Sequence, residues 1–177
     1  LGGRLDATNV STPVLSIITS ISLDHMHLLG STIGRIATEK AGIIKRGCPV
    51  ISAATHPAAR RVIAATAARR RAPLLQLGRD FEAASLPRDD ADPLAPGRVA
   101  VTLASAQAAE PLVFPLGMRG GHQAVNAAVA VMAARCLDAK GTRVPDRAVA
   151  KGLRAVRLPA RIERIGERPL VILDAAH

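Results

Sequence analysis

Asp24, His25 and His27 stand together just after a β-branched run over residues 14–21 (VLSIITSI). In open parallel sheets, ligands bind beyond the carboxyl ends of strands. A loop there with one carboxylate and two imidazoles could hold a metal ion or move a proton; the spacing equally allows histidines bonded only to backbone. Glu39 and Lys40 fall late in an expected helix. They read either as a solvated charged pair or as a sheltered lysine whose neutral amine can react. His122 and Asn126, four residues apart at a helix start, share a face. The flanking Gly120 and Gly121 leave that start open to anions, through its free N–H groups and dipole. Asn126 interrupts an Ala/Val helix, either as a ligand contact or as a buried amide satisfied within the protein. Asp174 closes the strand-like run 170–173, a position suited to a ribose hydroxyl or a metal, and His177 follows three residues later.

Generic nucleotide motifs are missing. The stretch GIIKRG (residues 42–47) has P-loop glycine spacing but runs into Cys48-Pro49 instead of Lys-Ser/Thr. Nothing in it could grip β- and γ-phosphates or Mg²⁺. There is no GxGxxG.

The 177 residues carry 24 Lys+Arg against 14 Asp+Glu, a formal net charge of +10, mostly from arginine. Two Phe, no Tyr and no Trp cannot make the stacking platform of a single-strand nucleic-acid binder. The charge therefore reads as a general attraction for small anions, or as a solvated arginine face such as Arg60, Arg61, Arg69, Arg70 and Arg71. Cys48 and Cys136 are too few for a disulfide framework or a zinc quartet, which fits a reducing cytoplasm. The longest apolar stretch, residues 124–134, contains Asn126 and is too short to span a bilayer. Starting at Leu1 without Met and stopping after a strand-like run, the chain reads as an excerpt of a longer protein.

Strands are expected over residues 14–21, 49–53 and 73–77, with helices from Ser31 or Thr32 to about Ile43 and over 57–71. Residues 86–96 read as loop, and 99–104 with 112–114 as a hairpin. Helices follow over 122–137 and 146–155, then strands over 161–165 and 170–173. This order predicts an α/β fold, a mostly parallel sheet flanked by helices.

Several motifs occur in order: LGGRLDATN (1–9), TSISLDH (19–25), EKAGIIK (39–45), GHQAVNAA (121–128), LPAR (158–161) and LDAAH (173–177). Together they resemble the folylpolyglutamate synthase/dihydrofolate synthase family of the Mur ligase superfamily, over essentially the whole chain. The resemblance implies an ATP-dependent ligase acting through an acyl phosphate that the amino group of glutamate attacks. Its carboxylate substrate would be folate or dihydropteroate; a Mur-type ligase of UDP-linked peptidoglycan precursors is the alternative. It also implies Mg²⁺ held by His25 and by Lys40 carbamylated with CO₂, which turns a cation into a carboxylate. Leu5, Asp6 and Ala7 match a segment lining the pterin site. Asn126, Arg161 and Asp174 match nucleotide contacts, and His177 a catalytic histidine near the phosphates. His27 matches no ligand position.

Residues 1–157 would then be the second part of a central Mur ligase-like ATP-binding domain. Residues 158–177 would be the linker and first strand of a Rossmann-like C-terminal glutamate-ligase domain. The partners implied are small molecules, with no nucleic acid and no membrane, in an enzyme monomeric at full length. The family's P-loop and Mg²⁺-binding glutamate would lie upstream of Leu1. Ala160 stands where the family has glycine in LPGR. A negative φ there is the condition on which alanine is tolerated.

Overall fold

The computed structural model describes residues 3–23, 29–86, 95–104 and 110–175. Asp24, His25, His27 and His177 lie outside them. The fold is α/β. Strands β1 (Ser16–Ile18), β2 (Val50–Ser52) and β3 (Leu74–Gln76) form a parallel sheet in that order, with Ser16 opposite Val50 and Val50 opposite Leu74. Helix α1 (Ile33–Ala41) connects β1 to β2, and α2 (Pro57–Arg69) connects β2 to β3. Thr32 caps α1 by accepting the Arg35 N–H, and Pro57 opens α2, where a missing N–H costs nothing.

The strand period of two divides β2 between two cores. Val50 joins Ile18, Ala37, Ala41, Ala59, Ile63 and Ala67, under α1 and α2. Ile51 joins the other core with Phe81, Val99, Val101, Phe114 and the long helix α3 (Gly121–Asp138). Alanines at 59 and 67 let α2 lie close to the sheet, while Arg61, Arg69 and Arg70 remain exposed.

Besides the parallel sheet there is an antiparallel one, β4 (Phe81–Leu86), β5 (Arg98–Leu103) and β6 (Leu112–Pro115). The hairpin of β5 and β6 is as expected, but β4 is an added strand, paired with β5 along six residues from Phe81–Leu103 to Leu86–Arg98. The run FEAASL has little strand propensity; pairing and the full burial of Phe81 make it a strand. Helix α4 (Asp146–Ala155) and the antiparallel hairpin β7 (Glu163–Glu167) and β8 (Leu170–Leu173) complete the chain. No helix among the described residues is long and apolar enough to cross a membrane. Both cysteines are free, Cys48 buried and Cys136 half-buried.

Candidate functional site

The parallel sheet ends on Thr19 and Ser20, directly after β1. Opposite them runs the first half of α3, and the segment around Leu158 and Arg161 closes the third side. Together they line a cavity of about 590 Å³, whose walls are Ile17, Thr19, Ser20, His122, Gln123, Asn126, Val129, Ala130, Leu158 and Arg161. This size suits a cofactor or a small substrate. Its place at the carboxyl end of a parallel strand is the one where open sheets bind ligands.

Gly120 starts α3 with φ +96, and a Cβ there would lie 2.6 Å from the His122 ring. Glycine is thus needed both for the backbone turn and for the imidazole that folds over it. No side chain caps this helix, and of its first N–H groups that of Gln123 turns back to Gly120 O at 3.0 Å. Asn126 is exposed in the cavity, while its neighbour Gln123 is 5 % exposed and is the buried amide of this helix. The sequence offered a buried amide as one reading of Asn126; that description fits Gln123 instead. Gln123 Oε1 accepts an N–H from Asn126 Nδ2 at 3.1 Å, and Gln123 Nε2 lies 3.0 Å from His122 Nε2.

Arg161 also borders a smaller hollow of about 140 Å³ with Arg119, Arg157, Leu158 and Glu163. Arg157 is pinned by donating Nη1 to the carbonyls of Arg154 and Val156, both at 2.8 Å. Three guanidinium groups and one carboxylate make this rim net cationic, favourable to anions. Asp174 follows β8, and the next residue, Ala175, donates its N–H to Ala160 O at 2.7 Å. That bond carries the end of β8 to the residue preceding Arg161.

The turn itself departs from the expectation of a negative φ. Ala160 has φ +55 and Ile162 φ +49. Both are left-handed conformations that disfavour side chains, β-branched ones most of all. Three ties hold the turn there: Ala160 N–H donates to Glu163 Oε2 at 2.7 Å, Ala160 O takes the Ala175 N–H, and Arg119 Nη1 donates to Ile162 O at 3.5 Å.

Leu5, Asp6, Ala7 and Lys40 form a second group. Asp6 caps the 3₁₀ turn Ala7–Val10 by accepting the Thr8 N–H at 2.9 Å, and Leu5 is largely exposed on its flank. This segment is laid on the carboxyl end of α1. Arg4 N–H donates to Glu39 O at 2.8 Å, the Arg4 guanidinium pairs with the Glu39 carboxylate at 3.3 Å, and Gly3 packs on the Glu39–Lys40 backbone. Lys40 lies half-buried in the last turn of α1. Lys45, unremarked by itself in the sequence, donates Nζ to Asn9 O at 2.6 Å and fastens the same segment. It lines a hollow of about 190 Å³ with Thr8, Asn9 and Ser16. Ile17 borders both this hollow and the large cavity, so the two hollows adjoin at β1, while Leu5, Asp6, Ala7 and Lys40 line neither. Among the described residues, no three His, Cys, Asp or Glu side chains cluster as a metal site.

No protein-family profile matches the chain. Individual proteins do. It is 40 % identical over 178 residues to a Bacillus subtilis (strain 168) dihydrofolate synthase/folylpolyglutamate synthase, covering all of this chain and 40 % of that protein. It is 38 % identical over 191 residues to a Lacticaseibacillus casei folylpolyglutamate synthase, with the same coverage. A solved FPGS–AMPPCP–folate complex superposes with a TM-score of 0.85 at 34 % identity, over all of this chain and 42 % of that one. The chain thus spans about two fifths of the length of the relatives it matches.

Proposed function

Because the chain belongs to the folylpolyglutamate synthase/dihydrofolate synthase family, we propose that it is a segment of an ATP-dependent ligase that joins glutamate to a folate or dihydropteroate carboxylate. The observation that carries this reading is the end-to-end superposition on a complex holding both an ATP analogue and folate. In this reading the cavity between β1 and α3 takes the nucleotide. Its apolar wall of Val129, Ala130 and Leu158 suits a base, and Asn126 and Arg161 supply polar and cationic contacts. Asp174 adds a carboxylate for a sugar hydroxyl.

The pterin lies against Leu5, Asp6 and Ala7, which Arg4 and Lys45 hold on the end of α1. Lys40, in that same helix end, carries a carbamate. Such a group is a hard oxygen donor, the kind Mg²⁺ prefers, and with His25 it would hold the metal. The bound metal would offset phosphate charge. His177 would act on the phosphates, as its motif implies. Residues 1–157 form part of the ATP-binding domain and 158–177 lead into the glutamate-ligase domain. The strained turn at 160–162 lies at that junction, and the full-length enzyme is a cytoplasmic monomer.

The chemistry has a consistent balance. A carboxylate oxygen attacks the γ-phosphorus of ATP and ADP leaves; the glutamate amine then attacks the acyl carbon, loses a proton, and phosphate leaves. The cationic rim of Arg119, Arg157 and Arg161 lowers the cost of gathering anions at one place. The test is incubation of the enzyme containing this chain with ATP, glutamate and either dihydropteroate or a reduced folate, read by mass spectrometry. One added glutamyl residue per ADP formed is expected. No glutamylated product from either pterin, with product from a UDP-linked peptide supplied in a parallel incubation, would overturn the reading.

A further inference from the structure

The turn that presents Leu5, Asp6 and Ala7 is fastened without a hydrophobic core of its own. Its 3₁₀ stretch Ala7–Val10 contains no buried residue, and Leu5 and Val10 are 81 % and 91 % exposed. Apolar burial therefore contributes little to where this turn sits, and polar ties decide it. Three of those ties meet at Asn9. Its Nδ2 donates to Arg4 O at 2.9 Å, which closes the backbone from 4 to 9 around Leu5, Asp6 and Ala7. The same nitrogen donates to Gly42 O, just past α1, in a longer contact of 3.4 Å. The main-chain carbonyl of Asn9 accepts Lys45 Nζ at 2.6 Å. Both partners of the amide are main-chain carbonyls, which only accept, so the end that faces them is the nitrogen. Turned over, the Asn9 oxygen would face two other oxygens.

Asn9 thus ties the turn to itself and, at two points, to the chain that follows α1. The Arg4 N–H on Glu39 O anchors the start of the turn, and Asn9 anchors its end. The Arg4–Glu39 ion pair adds little, since Arg4 is mostly exposed and solvent screens the pair. A turn that drifts spends only part of its time in the binding conformation, and the apparent affinity falls by that fraction. Resting on the reading of residues 5–7 as the pterin segment, we propose that Asn9 is a positioning residue for the pterin substrate, holding that turn closed on the end of α1. Asn9 touches no substrate in this account; it acts only through the turn.

The test is steady-state kinetics of the enzyme containing this chain, with ATP, glutamate and either dihydropteroate or a reduced folate. Asn9→Ala removes the donor. Asn9→Asp keeps size and shape but sets a carboxylate oxygen against the two carbonyls. Each should raise the KM for the pterin at least about fivefold, leaving kcat at saturating pterin and the KM for ATP unchanged. Hydrogen exchange should quicken at the amides of residues 4–10 and stay as it was in the two cores. An unchanged KM for the pterin in either variant would overturn the proposal. So would equal losses in kcat and in affinity for ATP with exchange quickened throughout the fold, the mark of a merely structural asparagine. If neither variant folds, Lys45→Met decides, because it leaves the amide in place and frees the Asn9 carbonyl. A raised KM for the pterin then supports the proposal and an unaltered one overturns it. Inactivity of the unaltered enzyme with both pterins contradicts the ligase reading instead. Equilibrium binding of dihydropteroate then replaces KM: weaker binding by Asn9→Ala supports the proposal, and equal or absent binding overturns it.

Discussion

Gly42, just past the end of α1, packs so tightly on Arg4 that a methyl group there would overlap Arg4 Cβ and reach within 2.8 Å of Arg4 Cα. The segment bearing Leu5, Asp6 and Ala7 is thereby pressed onto the helix end that bears Lys40. Gly42→Ala has to push this segment away. The expected outcome is a loss of roughly 1–3 kcal/mol in stability and a higher KM for the pterin substrate with the KM for ATP unchanged. Denaturant titration and steady-state kinetics read the two effects. An unaltered KM for the pterin would detach this segment from substrate binding.

Ala160 gives a prediction of opposite sign. A side chain in the left-handed region costs roughly 1–2 kcal/mol, whereas the added freedom of glycine in the unfolded chain costs roughly 0.4–1 kcal/mol. The first effect is larger, so Ala160→Gly should stabilise the protein by about 0.5–1 kcal/mol. A lower midpoint in urea would show that the φ of +55 carries no such strain.

That turn marks where sequence reasoning stops. LPAR could be seen to depart from a glycine-containing motif, but the turn is held by Glu163 three residues on and by Ala175 and Arg119, which only the fold brings to it. Strand β2 was legible because Val50 and Ile51 are β-branched residues buried on opposite faces of the sheet. Strand β1 proved shorter than residues 14–21, since only Ser16–Ile18 find a partner in β2. Strand β4 was hidden because Ala83, Ala84 and Ser85 say nothing of strand until β5 lies beside them. The burial of Gln123 did leave a trace: with Ala127 and Val131 it recurs every four residues on one face of α3.

Asp80 sets the pH response of the β3–β4 connection. Burial alone would push its carboxyl up. Hydrogen bonds from the Arg79 guanidinium and the Gln76 N–H, with the fields of Arg79 and Arg60, outweigh this and hold it below its ordinary 3.8. An acid depressed by folding stabilises the fold above its unfolded pKa, and the benefit is lost as pH falls through the folded value. Asp80→Asn should therefore cost stability at neutral pH, about 0.2–1 kcal/mol for a solvent-screened pair whose backbone contact the amide oxygen can keep. The gap to the parent protein should narrow below about pH 4. A gap that is constant from pH 3 to 7, measured by thermal melts, would contradict the assignment.

Lys40→Ala in the enzyme containing this chain should reduce turnover by orders of magnitude. Small carboxylates such as acetate should restore part of it, since they return the oxygen that a carbamate would supply. ¹³C NMR with labelled bicarbonate gives an independent reading, a carbamate signal present in the parent and lost in the variant. Unchanged turnover would remove Lys40 from the site.

The acyl phosphate is the step on which the proposed function turns, and oxygen isotopes follow it directly. With ¹⁸O in the acceptor carboxylate of the pterin substrate, one labelled oxygen per turnover should appear in the released phosphate. Product formed with unlabelled phosphate, or with the label transferred to AMP, would contradict it.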